Sequence, residues 1–214
     1  MHPKEIVQNP LYVPYINLFK KILLNDFGAE NGLRISYLIY CMDTSQPYSL
    51  DQVINIHRYQ ADKVQALRDD PDGQYNYQER IFGFPYSMVG QARLDSLQLM
   101  IETVLREKIP GDFLEAGVWR GGASIFMRAM LNLWGDKQRK VYVADSFQGL
   151  PAPQLKQDEN LNFHLDPTLS VSIDVVKSHF SRFGLLDDRV EFMSGWFEDT
   201  LRVPEPKQLA ILRA

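Results

Sequence analysis

Cysteine is nearly missing from this sequence: Cys41 is the only one in 214 residues. A single thiol excludes an internal disulfide and any cysteine-built metal site, and it suits the cytoplasm. A basic surplus is missing too. Lys and Arg number 23 against 27 Asp and Glu, with a net charge of -4 and a pI of about 5.6. Little is available to neutralise phosphates, so no nucleic-acid partner is expected. No stretch approaches the ~18 consecutive apolar residues of a membrane span. The opening "MHPKEIVQNPLYVPY" has no basic segment followed by an apolar core, so no signal peptide is expected. Internal repeats and low-complexity tracts are also missing. What remains is 45% hydrophobic and 23% charged, the composition of a globular chain. The length suits one domain or a domain with an appendage.

Residues Tyr15 to Phe27 place Tyr15, Leu18, Phe19, Ile22 and Leu23 at helical spacing, with Lys20 and Lys21 off that face. That face is expected to pack on a core, with a dimer contact or a ligand lid as alternatives. Residues 28–86 are rich in Tyr, Asp, Gln and Gly, with one short helix expected over Asp51 to Leu67. "DDPDG" (Asp69 to Gly73) reads as a turn. Residues 1–80 are therefore expected to form a helical and loop appendage. A second helix is expected from Ser87 to Lys108, with Leu94, Leu97, Ile101, Val104 and Leu105 in one stripe and Ser87 as its cap. Pro110 and Gly111 end it.

From there the pattern alternates. "DFLEAGV", "RKVYVADS", "RVEFMSGW" and "QLAILRA" read as strands. "GASIFMRAMLNLW" and "VSIDVVKSHFSRFG" read as helices, the second stopped by Gly184. Strands and helices at this spacing predict an α/β domain over residues 81–214, with a parallel, doubly wound, Rossmann-like sheet. Ligands of such sheets lie beyond the carboxyl ends of the strands.

The first strand ends in Glu115, Ala116 and Gly117, and the second in Ala144, Asp145 and Ser146. Gly117 lets the chain turn, and Gly121 and Gly122 let the next helix start close to the sheet and to a ligand. A nicotinamide fingerprint needs glycine two residues after Gly117, where the backbone approaches a pyrophosphate. Trp119 stands there instead. An adenosyl ligand without phosphates has no such need. Asp145 is placed to accept hydrogen bonds from ribose hydroxyls, and Glu115 to favour a cationic ligand. Read on residues alone, the turn admits close packing, a nicotinamide cofactor or S-adenosylmethionine, and favours the last.

"PGDFLEAGVWRGGASIFMRAML", "VYVADSFQGLP", "FGLLDDRVEFMSGWFEDTL" and "LAILR" resemble the macrocin O-methyltransferase (TylF-type) family, which methylates sugar hydroxyls on natural products. "YSMVGQARLDSLQ" adds to the likeness, which runs from about Phe84 to Ala214 and faintly through "YINLFKKILLN". The resemblance implies a class I methyltransferase fold, S-adenosylmethionine as donor and magnesium as metal. It implies cofactor contacts at Ser87 and Met88, at Glu115, Ala116, Gly117, Val118 and Trp119, at Asp145, Ser146, Phe147, Gln148 and Gly149, and at Gly195 and Trp196. Without it, Trp119 and Trp196 read as core aromatics.

In the family, the strand matching "LAILR" leads into an Asp-Gly-Asp motif, and a later strand ends in paired aspartates. These supply metal ligands and the general base. The sequence stops at Ala214, where the first aspartate is expected, so the chain reads as truncated and no metal ligand or catalytic residue is assigned in it. The loop 150–169 is expected to cover the acceptor, with Asp158, Glu159, His164 and Asp166 as candidate catalytic groups. The main expectation is an O-methyltransferase acting on a hydroxyl of a small molecule. The alternatives are a non-catalytic donor-binding remnant or a nicotinamide-binding domain. A homo-oligomer is left open.

Overall fold

The structure is a computed structural model that describes residues 3–72, 77–158, 160–202 and 205–214. Glu159 and Gly73, both named above, lie outside the described residues. Contacts divide the chain into two compact units: Met1–Pro14 with Asp95–Ala214, and Tyr15–Leu94. No described helix is long and apolar enough to cross a membrane.

Helices open the chain. They are α1 (Pro3–Gln8), α2 (Tyr12–Leu23), α3 (Glu30–Asp43), α4 (Leu50–Ile54), α5 (Ile56–Tyr59), α6 (Ala61–Asp69), α7 (Tyr77–Phe82) and α8 (Gly90–Arg106). The α2 stripe differs from expectation. Ile16, Lys20 and Leu23 are buried, whereas Tyr15, Leu18 and Ile22 are exposed. Both triplets satisfy helical spacing, and the long apolar stem of Lys20 lets it share the inner face. α3 lies where no helix is expected, and the single helix expected over Asp51 to Leu67 is three short ones. Leu33, Ile56, Val64 and Leu67 make their small core. The expected α8 stripe is buried at Leu94, Leu97, Ile101 and Val104. Its start is later than expected, at Gly90; Ser87 Oγ accepts only a long bond, 3.5 Å, from Val89 N–H.

The sheet unit follows the alternating pattern: β1 (Asp112–Ala116), α9 (Gly122–Leu133), β2 (Val141–Asp145), α10 (Ile173–Arg182), β3 (Val190–Ser194), α11 (Phe197–Thr200) and β4 (Leu209–Arg213). The four strands are parallel in the order β3-β2-β1-β4. The chain steps outward from β1 to β3 and then crosses to the other side of β1, so strand order reverses between β1 and β4. Both faces of the central strands are covered, which explains their apolar runs. Leu114, Tyr142 and Ala144 form a cluster on one face. Phe113, Val141 and Val143 alternate with them, and α9, which packs on β1 and β2, is buried from Gly122 to Leu131. Arg128 of α9 is fully buried and pairs with Asp187, through Nε at 3.1 Å and through Nη2. Trp134, just past α9, donates its indole N–H to Tyr12 Oη at 2.9 Å, and Tyr12 donates to Glu102 at 2.9 Å.

Candidate functional site

The loops after β1, β2 and β3 meet at the carboxyl edge of the sheet. Gly117 turns the chain with φ +83°, and its N–H donates to Ala144 O at 2.9 Å. Gly117 is exposed, and no atom lies within 4 Å of where a Cβ would stand. Gly121 shares the left-handed backbone, φ +84°, for a different reason. A Cβ there would stand 2.8 Å from Val176 Cγ1 and 3.4 Å from Phe180. So Gly121 serves packing between α9 and α10, and Gly117 leaves open space beside the loop.

Asp145 is the centre of this edge. Its Oδ2 accepts from Val118 N–H at 2.8 Å and Trp119 N–H at 3.2 Å, and its Oδ1 accepts from Phe147 N–H at 2.8 Å. Its carbonyl accepts from Gly195 N–H at 3.0 Å. One residue therefore joins all three loops. Ser146 Oγ donates to Gly149 O at 2.8 Å and accepts from Gln148 N–H at 3.1 Å, which curls "DSFQG" into a tight turn. Phe147 is buried, 6.2 Å from the Phe192 ring, while Gln148 is exposed. Trp196 precedes α11, and its carbonyl accepts from Asp199 N–H and Thr200 N–H, each at 3.0 Å.

Trp119 has φ +50°, and its indole N–H donates to Thr168 O at 2.7 Å. The indole thus ties the β1 turn to the long loop before α10. That loop holds three short 3-10 turns, over 156–158, 163–165 and 167–169. Asp166 caps the last of them, accepting from Thr168 N–H at 2.8 Å and Thr168 Oγ at 2.7 Å. Asp158 lies in the first. His164 is half-buried, and its Nδ1 is buried with no hydrogen-bond partner among the described residues.

Glu115 sits inward, 2% exposed. Its Oε2 accepts from Ser124 Oγ and its Oε1 from Arg213 Nη1, each at 2.5 Å. Arg213 is its register partner on β4. Burial pushes the Glu115 carboxyl up to about 7, Asp145 adds to the rise, and Arg213 and Ser124 pull the other way. Its charge is therefore answered by residues of this chain. Sequence reasoning missed both partners. The signal was there: an acid inside an apolar strand needs a partner on a neighbouring element.

The segments Glu115–Trp119, Asp145–Gly149 and Gly195–Trp196 are thus brought together within one unit. Ser87 and Met88 belong to the Tyr15–Leu94 unit, where both line a small cavity with Leu24, Arg80 and Ile81. Among the described residues, no group of three or more His, Cys, Asp or Glu side chains is placed to hold a metal ion.

The profile of the family described as Macrocin-O-methyltransferase (TylF) matches residues 12–214. The chain belongs to this family. Like a macrocin O-methyltransferase family member, it is similar to 8-demethyl-8-(2,3-dimethoxy-alpha-L-rhamnosyl)-tetracenomycin-C 4'-O-methyltransferase of Streptomyces olivaceus. The two are 45% identical over 151 residues, 66% of this chain and 58% of that protein. It is likewise 45% identical over 134 residues to mycinamicin III 3''-O-methyltransferase of Micromonospora griseorubida, covering 60% of this chain and 53% of that one. Among solved structures, the O-methyltransferase NovP superposes with a TM-score of 0.63 at 30% identity, covering 94% of this chain and 71% of that one. The match spans little more than half the length of these curated relatives.

Proposed function

We propose that the protein is an S-adenosylmethionine-dependent O-methyltransferase whose acceptor is a hydroxyl on a sugar-bearing natural product. The observation that supports it most is the open Gly117 turn, held by the Asp145 carboxylate against the loops after β2 and β3. A flat adenosyl group fits beside a backbone that has no side chain there, and no pyrophosphate contact is required. The relatives named above, all O-methyltransferases, support the same reading.

Bound at this edge, S-adenosylmethionine supplies a methyl group on a cationic sulfur. The chain's own residues do the rest. Ala116 to Trp119, Asp145 to Gly149, Gly195 and Trp196 line the donor, with Glu115 buried at the end of β1. Asp145 Oδ1 keeps capacity for a ribose hydroxyl, because its second contact, Ser146 Oγ at 3.5 Å, is long. The loop tied down by Trp119 excludes water from the transfer.

A sugar hydroxyl is a weak acid and needs a base or a metal before it attacks. The family pattern calls for magnesium, for which the described residues supply no donor set. The lone thiol, Cys41, fits a cytoplasmic location. The exposed Tyr15, Leu18 and Ile22 stripe suits self-association, which light scattering checks directly.

Calorimetric titration with S-adenosylhomocysteine and with NAD tests the donor assignment. Saturable binding of the first and none of the second is expected. Binding of NAD alone overturns it. Donor binding without methyl transfer to any glycosylated acceptor points instead to a donor-binding remnant.

A further inference from the structure

The Tyr15–Leu94 unit contains a second, larger cavity, which shares Leu24, Pro71 and Arg80 with the small one. Its volume is about 370 Å³ and it is partly open to solvent. That is within the size range of small-molecule sites. Lys21, Arg68 and Arg80 line it, with Asp26 as the lone acid and Asn17 and Gln91 as amides.

The cations are unevenly spent. Lys21 Nζ stands 3.5 Å from Asp26, and Arg68 Nη2 stands 2.8 Å from Glu30. Both side chains are more than half exposed, so these pairs are weak and exchangeable. Arg80 differs. Its Nη2 donates to Leu67 O at 2.6 Å, but its Nε is buried with no hydrogen-bond partner among the described residues. Burial also lowers the Arg80 pKa from its ordinary value, against the opposing pull of Asp70, Asp26 and Asp72. A buried cationic N–H without an acceptor is costly and asks for an explanation. Arg80 lines the cavity, and guanidinium is the group best shaped for carboxylate or phosphate.

We propose that this cavity is an oxyanion site, which takes a phosphate or carboxylate group of a small molecule against Arg80, with Lys21 and Arg68 as supporting cations. The three nearby aspartates set its strength. They keep the local charge modest, so the site selects a hydrogen-bonded oxyanion over a diffuse counterion.

The test uses the side-chain Nε–H resonances of arginine in the intact protein, titrated separately with inorganic phosphate, acetate and chloride at constant ionic strength. Assignment comes from connectivities and is checked with Arg80→Lys. Expected is a saturable downfield shift of the Arg80 signal with phosphate or acetate at millimolar concentration or below, and none with chloride. Tighter binding of phosphate marks a phosphate-bearing ligand, and tighter binding of acetate marks a carboxylate. Lys21→Gln and Arg68→Gln, both at exposed positions, should each weaken binding roughly 3- to 10-fold. An Arg80 signal that never saturates, or one whose response is the same in both variants, overturns the proposal. These probes carry no adenosine, so the result is separate from that of the donor titration.

Discussion

Asp145→Asn removes one charge and one acceptor atom from the residue that joins three loops. The native carboxylate accepts three backbone N–H bonds, at 2.8, 3.2 and 2.8 Å. An amide cannot reproduce this. Whichever way it is turned, its NH2 faces backbone donors, either Val118 and Trp119 or Phe147. A hydrogen bond to a charged group contributes roughly 1.5–3 kcal/mol, and those that survive on a neutral oxygen are about half as strong. The gross loss is then about 3–6 kcal/mol, and water reaching this half-buried edge recovers part of it. A net cost of roughly 2–3 kcal/mol lowers Tm by about 5–10 °C for a chain of this size. Affinity for S-adenosylhomocysteine should fall at least tenfold, because the Gly117 turn loses its anchor. Asp145→Ala, which leaves room for water, should be no worse than Asn. Circular-dichroism melts and calorimetry on both variants read these effects. An Asn variant with unchanged Tm and unchanged affinity refutes the reasoning.

The two glycines should separate. Gly117→Ala costs about 1–2 kcal/mol for its left-handed backbone but fills the open space, so donor binding should fall far more than Tm; the reverse ranking, read by calorimetry and melts, contradicts the assignment. Gly121→Ala adds a 2.8 Å clash with Val176 to the same backbone cost, and its Tm should drop well below that of Gly117→Ala; equal values would deny the packing role. Glu115 carries a carboxyl raised from 4.5 to about 7, so the folded state holds the proton longer than the unfolded one. Stability should therefore fall as pH rises from about 4.5 to about 7, by roughly 3 kcal/mol at most. Melts across that range should show the slope in the native protein and its loss in Glu115→Gln; a slope that survives the substitution excludes Glu115 as its source. Trp119→Phe loses the bond to Thr168 O, about 0.5–1.5 kcal/mol, and amide exchange over 160–169 should speed up while β1 and β2 stay protected; unchanged loop protection would show that the indole is no tether.

The sheet unit was legible because its strands and helices each bury one continuous pattern. α10 carries an apolar repeat that a helix between sheet and solvent explains, and α9 is buried along most of its length. β1 and β2 are apolar because both their faces are covered. The Tyr15–Leu94 unit was not legible in this way. Its helices are short, and a small core of Leu33, Ile56, Val64 and Leu67 leaves most positions free to be polar or aromatic, so α3 left no clear stripe. In α2 the buried Lys20 and Ile16 turn the inner face away from Tyr15, Leu18 and Ile22, while Leu23 stays on it. At the site, residue types and spacing pointed to Gly117 and Asp145 correctly as strand-end features. The partners could not be read. Asp145 reaches backbone N–H groups, which carry no residue signature, and Glu115 meets Arg213 only because of a strand register that the order β3-β2-β1-β4 creates.

The most direct test is a crystal structure of the protein grown with S-adenosylhomocysteine. Expected is density for the adenosyl group beside Gly117, along the turn from Asp145 to Gly149, with the Asp145 bonds to Val118 and Trp119 intact. Density for the ligand elsewhere in the molecule, with that turn closed by protein atoms, contradicts the account.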